Sequence, residues 1–443
     1  MNNGPVLLLV NPWIYDFAAY GFFARPLGLL YLASFLAARG YDVHLLDCLD
    51  AALSPSGPWG AGRYPKEILP APPALRGLPR RYGRYGVSGA EFRRRLLAAP
   101  QPDAILVTSL MTYWYPGVQA AIGLARERFP RAPVILGGIY ASLCPEHARG
   151  RSGADAILTG AGEAEILRQL AAMNLPPPRG AHSGPPLAGP PGLDDQPYPA
   201  LKLLRHLSFI PILTSRGCPF TCSYCASRLL QPHHQPRRPQ KVVEELAYWH
   251  ERLELRDVAF YDDALLVDAE NHLLVILEEL ATRGLHFRFH TPNALHARAI
   301  TPRVAGWLKK ACFTTLRLGV ETTALGAARL DRKLEAGELE EALAHLREAG
   351  FRREEIGVYL LIGLPDQEEE EAISSIRRVK ELGGTPVLAQ YSPIPGTGLW
   401  PRAVSASRYD LERDPLFHNN SLFPCWPRFS WERYTRLKSL AAG

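Results

Sequence analysis

At 443 residues the chain exceeds the roughly 250 to 300 residues at which a single core stops growing, so two substantial domains are expected. A hydrophobic content of 47% against 21% charged residues excludes a globally disordered or fibrous chain. The balance of 50 basic and 44 acidic residues gives a net charge of +6, too mild to indicate a nucleic-acid partner, and the one basic cluster (Arg76, Arg80, Arg81, Arg84, Arg93, Arg94, Arg95) reads as a solvated face or as the neutraliser of an anionic ligand.

Residues 6–10 form a five-residue apolar run with no basic leader and no small-residue cleavage site, which predicts a buried strand instead of a signal peptide. No stretch approaches the roughly 20 apolar residues of a membrane span, so the protein is expected in the cytoplasm with no transmembrane segment. Further strands are predicted over 42–46, 104–109, 134–137 and 156–158, with helices over 27–39 and 118–129 between them. Such alternation implies parallel strands and crossover helices: an α/β, doubly wound, Rossmann-like sheet over 1–173 with its ligand at the carboxyl ends of the strands. Residues 51–90 interrupt the pattern with Pro, Gly, Arg and Tyr, and read as an irregular covering flap or partner surface.

Prolines at 176–178, 185, 186, 190, 191, 197 and 199 mark 174–201 as a semi-extended linker. Beyond it, strands are predicted over 209–214, 258–261, 286–290, 315–319, 356–362 and 387–391, and helices over 241–253, 269–283, 302–311, 337–349 and 368–382. Six strand and helix units over 202–400 suggest a partial (β/α)6 barrel, whose active site belongs at the C-terminal strand ends. The tail, 401–443, is rich in aromatics that either pack on the barrel or close its mouth.

Seven cysteines in a chain without a secretory signal argue against a disulfide framework. Cys48, Cys144, Cys312 and Cys425 are scattered and read as small buried hydrophobes. Cys218, Cys222 and Cys225 instead share one glycine-entered loop after the first barrel strand. Three thiolates there can hold three irons of a 4Fe-4S cubane and leave the fourth open. Zinc is the alternative, with His233 or His234 as the fourth ligand; a fully ligated electron carrier would want a fourth nearby cysteine. At the second and third strand ends, Tyr261, Asp262, Asp263 and His290 could orient substrate or move protons, although Asp262 or Asp263 could equally cap a helix.

The CxxxCxxC loop, with Tyr224 before its last cysteine and at the end of a first barrel strand, resembles the radical SAM superfamily. That resemblance implies that Cys218, Cys222 and Cys225 hold a 4Fe-4S cluster, that S-adenosylmethionine chelates its open iron, and that one-electron reduction yields methionine and a 5′-deoxyadenosyl radical. Tyr224, Gly319, Glu321, Ile362 and Gly363 match family positions that bind S-adenosylmethionine. The first domain resembles the cobalamin-binding domain of one large subgroup, with Thr108, Ser109, Gly137, Gly138, Gly160 and Glu163 as the matching cobalamin positions. Many cobalamin carriers supply an axial histidine after the first strand, whereas residues 11–28 contain none. The resemblance therefore implies a cobalamin-dependent methyltransferase acting on an unactivated carbon of a small molecule or lipid, with an electron donor such as flavodoxin or ferredoxin. An elimination, rearrangement or dehydration enzyme with an empty first domain is the alternative, and a non-catalytic corrinoid or iron-sulfur carrier the third.

Overall fold

The computed structural model describes residues 4–53, 61–178, 192–324, 331 and 333–442. The chain divides into two units, Met1–Ser208 with Asp414–Leu416, and Phe209–Arg413 with Phe417–Gly443. Residues 179–191, the middle of the expected linker, lie outside the described residues. The following stretch packs with the first unit, where Ala200 and Leu203 join the hydrophobic core.

The first unit is built on five parallel strands: β1 (Val6–Asn11), β2 (Asp42–Asp47), β3 (Ala104–Val107), β4 (Val134–Leu136) and β5 (Ala156–Ile157). Their order is β5-β4-β3-β1-β2. Leu7, Leu8, Leu9 and Val10 are almost fully buried, as expected for a central strand covered on both faces. Each contributes about 1.5–3 kcal/mol by leaving water. Helix α1 (Leu27–Ala37) crosses from β1 to β2, and α2 (Gly89–Ala98), α3 (Tyr115–Arg128) and α4 (Gly162–Ala172) follow. The order in which strands are added reverses between β1 and β3, so a ligand crevice opens beyond their carboxyl ends.

Residues 51–90 depart from the irregular flap expected of them. Lys66–Ile68 and Gly83–Tyr85 pair antiparallel, and Gly83–Tyr85 also pairs with Ile14–Asp16. Strands this short leave no alternation to read. Within the basic cluster Arg93 and Arg94 are exposed, on Glu127 and Glu91, whereas Arg84, on Glu67, and Arg95, also on Glu91, are mostly buried, so only part of the cluster is a solvated face.

At the end of β2, Asp47 is buried, accepting from Asn11 Nδ2 (2.7 Å) and from Leu49 N (2.8 Å). Burial, only partly offset by these bonds, raises its carboxyl to about 6. Because the folded value is the higher one, the stabilisation by protonation is complete below the unfolded value near 4 and is lost as pH rises through 6. Asp47→Asn, which keeps an acceptor without the charge, should therefore raise the melting temperature at pH 7.5 by the equivalent of up to about 3 kcal/mol and leave it unchanged at pH 4. Thermal denaturation at the two pH values checks this.

The second unit follows the predicted alternation. Strands β6 (Ile210–Ile212), β7 (Asp257–Phe260), β8 (Arg288–His290), β9 (Phe313–Glu321), β10 (Ile356–Ile362) and β11 (Thr385–Gln390) lie side by side in chain order, all parallel. No pairing between β6 and β11 closes the sheet among the described residues, so the barrel is partial. Leu295–His296 adds a short seventh strand beside β9. The crossover helices are α5 (Pro239–Leu253), α6 (Leu273–Thr282), α7 (Pro302–Lys310), α8 (Glu338–Glu348) and α9 (Glu369–Glu381).

The tail packs on the barrel. Helix α10 (Trp431–Ala442) lies on α9 and β11, with Arg433 and Arg436 on the buried Glu369 and Gln390 Nε2 donating to Tyr434 Oη. Phe423, Trp426, Phe429, Trp431 and Tyr434 form one aromatic cluster. Cys425 is buried in a separate core with Leu364, Tyr391 and Leu399 and donates to Ala403 O. Cys48 is also buried, but Cys312 corrects the expectation of burial: it is exposed at φ 62°, just past the end of α7. Cys144 is half-buried.

Candidate active site

The three closely spaced cysteines sit in a loop fastened at its root. Ser215–Arg216 pairs antiparallel with Gln235–Pro236, turning the intervening residues into a closed excursion from the end of β6. Gly217 enters it at φ 75°, and a Cβ there would lie 2.4 Å from the His233 carbonyl oxygen, so only glycine fits. Asp262, at the end of β7, accepts from Thr214 N (3.1 Å), Thr214 Oγ1 (2.7 Å) and Ser215 Oγ (2.7 Å). The Ser223 carbonyl accepts from Leu399 N at 2.7 Å, which ties the far side of the loop to the segment after β11.

Cys218, Cys222 and Cys225 line one cavity of about 860 Å³ at the carboxyl ends of the barrel strands. Its size is at the upper end for small-molecule sites. Asp263, Asn293, His296 and Lys333 supply polar groups around it, and Phe220 and Ala294 supply apolar wall. Burial raises Cys222 to about 11, against the pull of Lys333, and lifts Cys218 above the ordinary thiol value. Cys218 and Cys222 thus favour the thiol near neutrality, and a metal must displace their protons to bind.

Beside the cavity lies a knot of charge. Glu321 ends β9 at φ 63° and its Oε1 accepts from Lys333 Nζ (3.0 Å) and from Tyr224 Oη (2.9 Å). Tyr224 Oη also reaches Asp331 Oδ2 at 3.1 Å. Burial alone would lower the Lys333 ammonium, but Glu321, Cys222 and Asp331 outweigh it and hold the charge above its ordinary value. Burial raises the Tyr224 phenol, and the same carboxylates reinforce that rise. Gly319 is required here too, since a Cβ would come within 2.9 Å of Ala294 Cβ.

Other predicted residues fall elsewhere. Ile362 is buried in β10 and does not line the cavity; Gly363, at φ 86°, packs under Phe423, and its N–H donates to Gln367 Oε1 at 2.8 Å. His290 is fully buried: Nε2 meets Asp257 Oδ1 at 2.9 Å and Nδ1 meets Thr315 Oγ1 at 3.1 Å. Burial holds it neutral, and it belongs to the strand core, not the rim. Asp262 turns back to Thr214 and Ser215 instead of capping a helix, because 263–272 form turns and α6 starts only at Leu273. Tyr261 also stands outside the cavity lining, so Asp263 alone of the four rim candidates faces it, its carboxyl raised by burial and by Asp262. The reading from sequence missed Asn293, His296 and Lys333. Asn293 lies in the loop after β8, where a strand-end residue is a ready candidate, and His296 in the short strand beside β9.

In the first unit the expected cobalamin positions divide. Ser109 is buried and engaged in the turn, donating to Gly137 O (2.6 Å) and accepting from Ala141 N (3.3 Å). At Gly138 a Cβ would lie 2.3 Å from Ser109 O, so this glycine serves packing. Glu163 is buried, with Gln196 Nε2 donating to it. At Gly160 a Cβ would meet nothing within 4 Å, and at Gly137 it would make only ordinary contacts. Together with Thr108, following β3 at the crevice, they leave backbone open to a large ligand, which fits a corrin.

The barrel loop fits a cluster better than zinc. A closed zinc site takes four protein ligands, and the three cysteines supply one too few. A cubane sets each thiolate on a different iron and spreads them. Neither His233 nor His234 lines the cavity.

Comparison with known proteins agrees. Residues 212–379 match the family model of the radical SAM superfamily, and residues 85–168 that of the B12 binding domain. The chain is 22% identical to an uncharacterized methyltransferase of Pyrococcus horikoshii over 76% of its length and 73% of the relative's. It is 26% identical to the hopanoid C-3 methylase of Methylococcus capsulatus, over 71% of this chain and 63% of that one. It is 22% identical to the anaerobic magnesium-protoporphyrin IX monomethyl ester cyclase of Rubrivivax gelatinosus, over 69% and 59%. The chain thus spans about three fifths of the last two relatives. The fold of the radical S-adenosylmethionine methyltransferase TsrM from Kitasatospora setae, solved with cobalamin and a [4Fe-4S] cluster, superposes with a TM-score of 0.64 at 16% identity, covering 92% of this chain and 76% of that one.

Proposed function

We propose that this chain, a radical SAM enzyme with a B12 binding domain, methylates an unactivated carbon of a small molecule or lipid. The observation that carries the proposal is the convergence of three thiols and a buried cation on one cavity, in a chain with a B12 binding domain. When bound, the cluster supplies the electron that cleaves S-adenosylmethionine to a 5′-deoxyadenosyl radical, and cobalamin supplies the methyl group.

The protein's own residues do the rest. Lys333, fixed by Glu321, sets a positive charge against the carboxylate of S-adenosylmethionine. Asp263 and Asn293 offer polar contacts to the substrate, while Phe220, Pro292 and Ala294 exclude water beside a carbon that carries no polar handle. Asn293 is itself held, donating to the Tyr261 and Asp262 carbonyls. The hopanoid relative supports a lipid substrate. Flavodoxin or ferredoxin would deliver the electron.

A second reading, radical elimination or rearrangement with an empty first unit, is favoured by the absence of histidine from residues 11–28 and by the cyclase relative. An anaerobic preparation analysed for iron, sulfide and cobalamin separates the two. Stoichiometric cobalamin, with deoxyadenosine formed on reduction, supports methyl transfer. Deoxyadenosine formed with no cobalamin retained selects the second reading, and no deoxyadenosine refutes both.

A further inference from the structure

The short strand Leu295–His296 carries a side chain that no role described so far uses. His296 lines the cavity, is 5% exposed, and its Nε2 is buried without a hydrogen-bond partner. A buried imidazole nitrogen left unmatched is destabilising, typically by about 1–3 kcal/mol, unless something else completes it.

Its position is set from two sides. The ring lies 4.2 Å from the ring of Phe220, at 32°, and Phe220 stands between Cys218 and Cys222 in the cysteine loop. Its own backbone pairs with Gly319 of β9, where the neighbouring Ala294 leaves no space for a side chain. His296 therefore stands beside the cysteine loop on a rigid strand, not on a wandering one.

The surroundings leave the ring in want of an acceptor. Burial first, then Lys333 and Arg298, depress the imidazole to about 3, so it is neutral and offers an N–H donor without adding charge. Of the nearby carboxylates, Glu321 is already engaged by Lys333 and Tyr224, Asp331 by Tyr224, and Asp263 by Ser227. Room remains for an incoming carboxylate that accepts from a neutral donor while its charge faces the ammonium.

We propose that His296 is a positioning residue that donates a hydrogen bond to the carboxylate of S-adenosylmethionine, next to Lys333. This rests on the reading of the cavity as a cluster and S-adenosylmethionine site. A hydrogen bond to a charged acceptor implies about 10- to 100-fold in affinity.

The test uses the reconstituted holoenzyme with its cluster oxidised, so that no turnover occurs, and measures S-adenosylmethionine affinity by equilibrium dialysis. The EPR shift that S-adenosylmethionine induces in the reduced cluster is recorded alongside. His296→Phe keeps the stacking on Phe220 and removes the donor; His296→Asn restores a donor. The expected result is wild-type iron content in both variants, a 10- to 100-fold loss of affinity and a diminished EPR shift in His296→Phe, and recovery of most of the affinity in His296→Asn. Wild-type affinity and EPR shift in His296→Phe overturn the inference. So does an equal loss in both variants, which marks a merely structural role. Failure of the wild-type protein to bind S-adenosylmethionine at all refutes instead the reading of the cavity.

Discussion

Replacing Cys222 by Ala should abolish deoxyadenosine formation while leaving the far-ultraviolet circular dichroism unchanged. Cys222 is one of three thiols on the cavity, and the root and far side of its loop are held by Asp262, Leu399 and the Ser215–Arg216 pairing, with Cys225 Sγ adding contacts to Ser227. With two protein ligands left, iron retention should fall by more than the roughly 10- to 100-fold that loss of a supporting partner costs a metal site. Cys425→Ala is the control: that thiol is buried under Ala403, so its loss should lower the melting temperature slightly and leave iron unchanged. Iron and sulfide per chain, with deoxyadenosine after reduction, decide the matter. Persistent cleavage in the Cys222 variant would remove the cluster from its assigned loop.

Lys333→Met should do two separable kinds of damage. Removing the ammonium strands Glu321 beside Asp331 and the Tyr224 hydroxyl, and breaking a buried pair from one side costs about 3–5 kcal/mol. A drop of roughly 10 °C in melting temperature is expected for a unit of this size. S-adenosylmethionine affinity should fall as well, because the facing charge is gone. The double variant Lys333→Met with Glu321→Gln removes the stranded charge, so it should recover most of the melting temperature and little of the affinity. If affinity returned together with stability, Lys333 would be no more than a structural counter-ion.

The barrel was readable because its strands are continuous apolar runs closed by Gly, Pro and Asp, and the predicted strand over 356–362 coincides with β10. The first unit's sheet was equally plain, down to the buried run in β1. What escaped was pairing without periodicity: the two- and three-residue strands within 51–90, and Leu295–His296 beside β9, whose role comes from a neighbour far along the chain. The cysteines declared themselves by spacing. Lys333 and His296 did not, because a lone lysine or histidine in a loop gains meaning only once Glu321 and Phe220 are brought to it. Conversely, Ile362, Gly363 and His290 sit at the right strand ends but face Phe423 or the strand interior, and direction of a side chain is not carried by strand position alone.

The root of the cysteine loop bears on how far that loop leans on sulfur. In small zinc domains the metal is part of the folding reaction, and without it the chain stays unfolded. Here backbone pairing, the buried Asp262 carboxylate and a glycine turn also brace the excursion where it leaves the sheet. Its shape is thus shared between the barrel and the thiols, and a change at either end is felt by both.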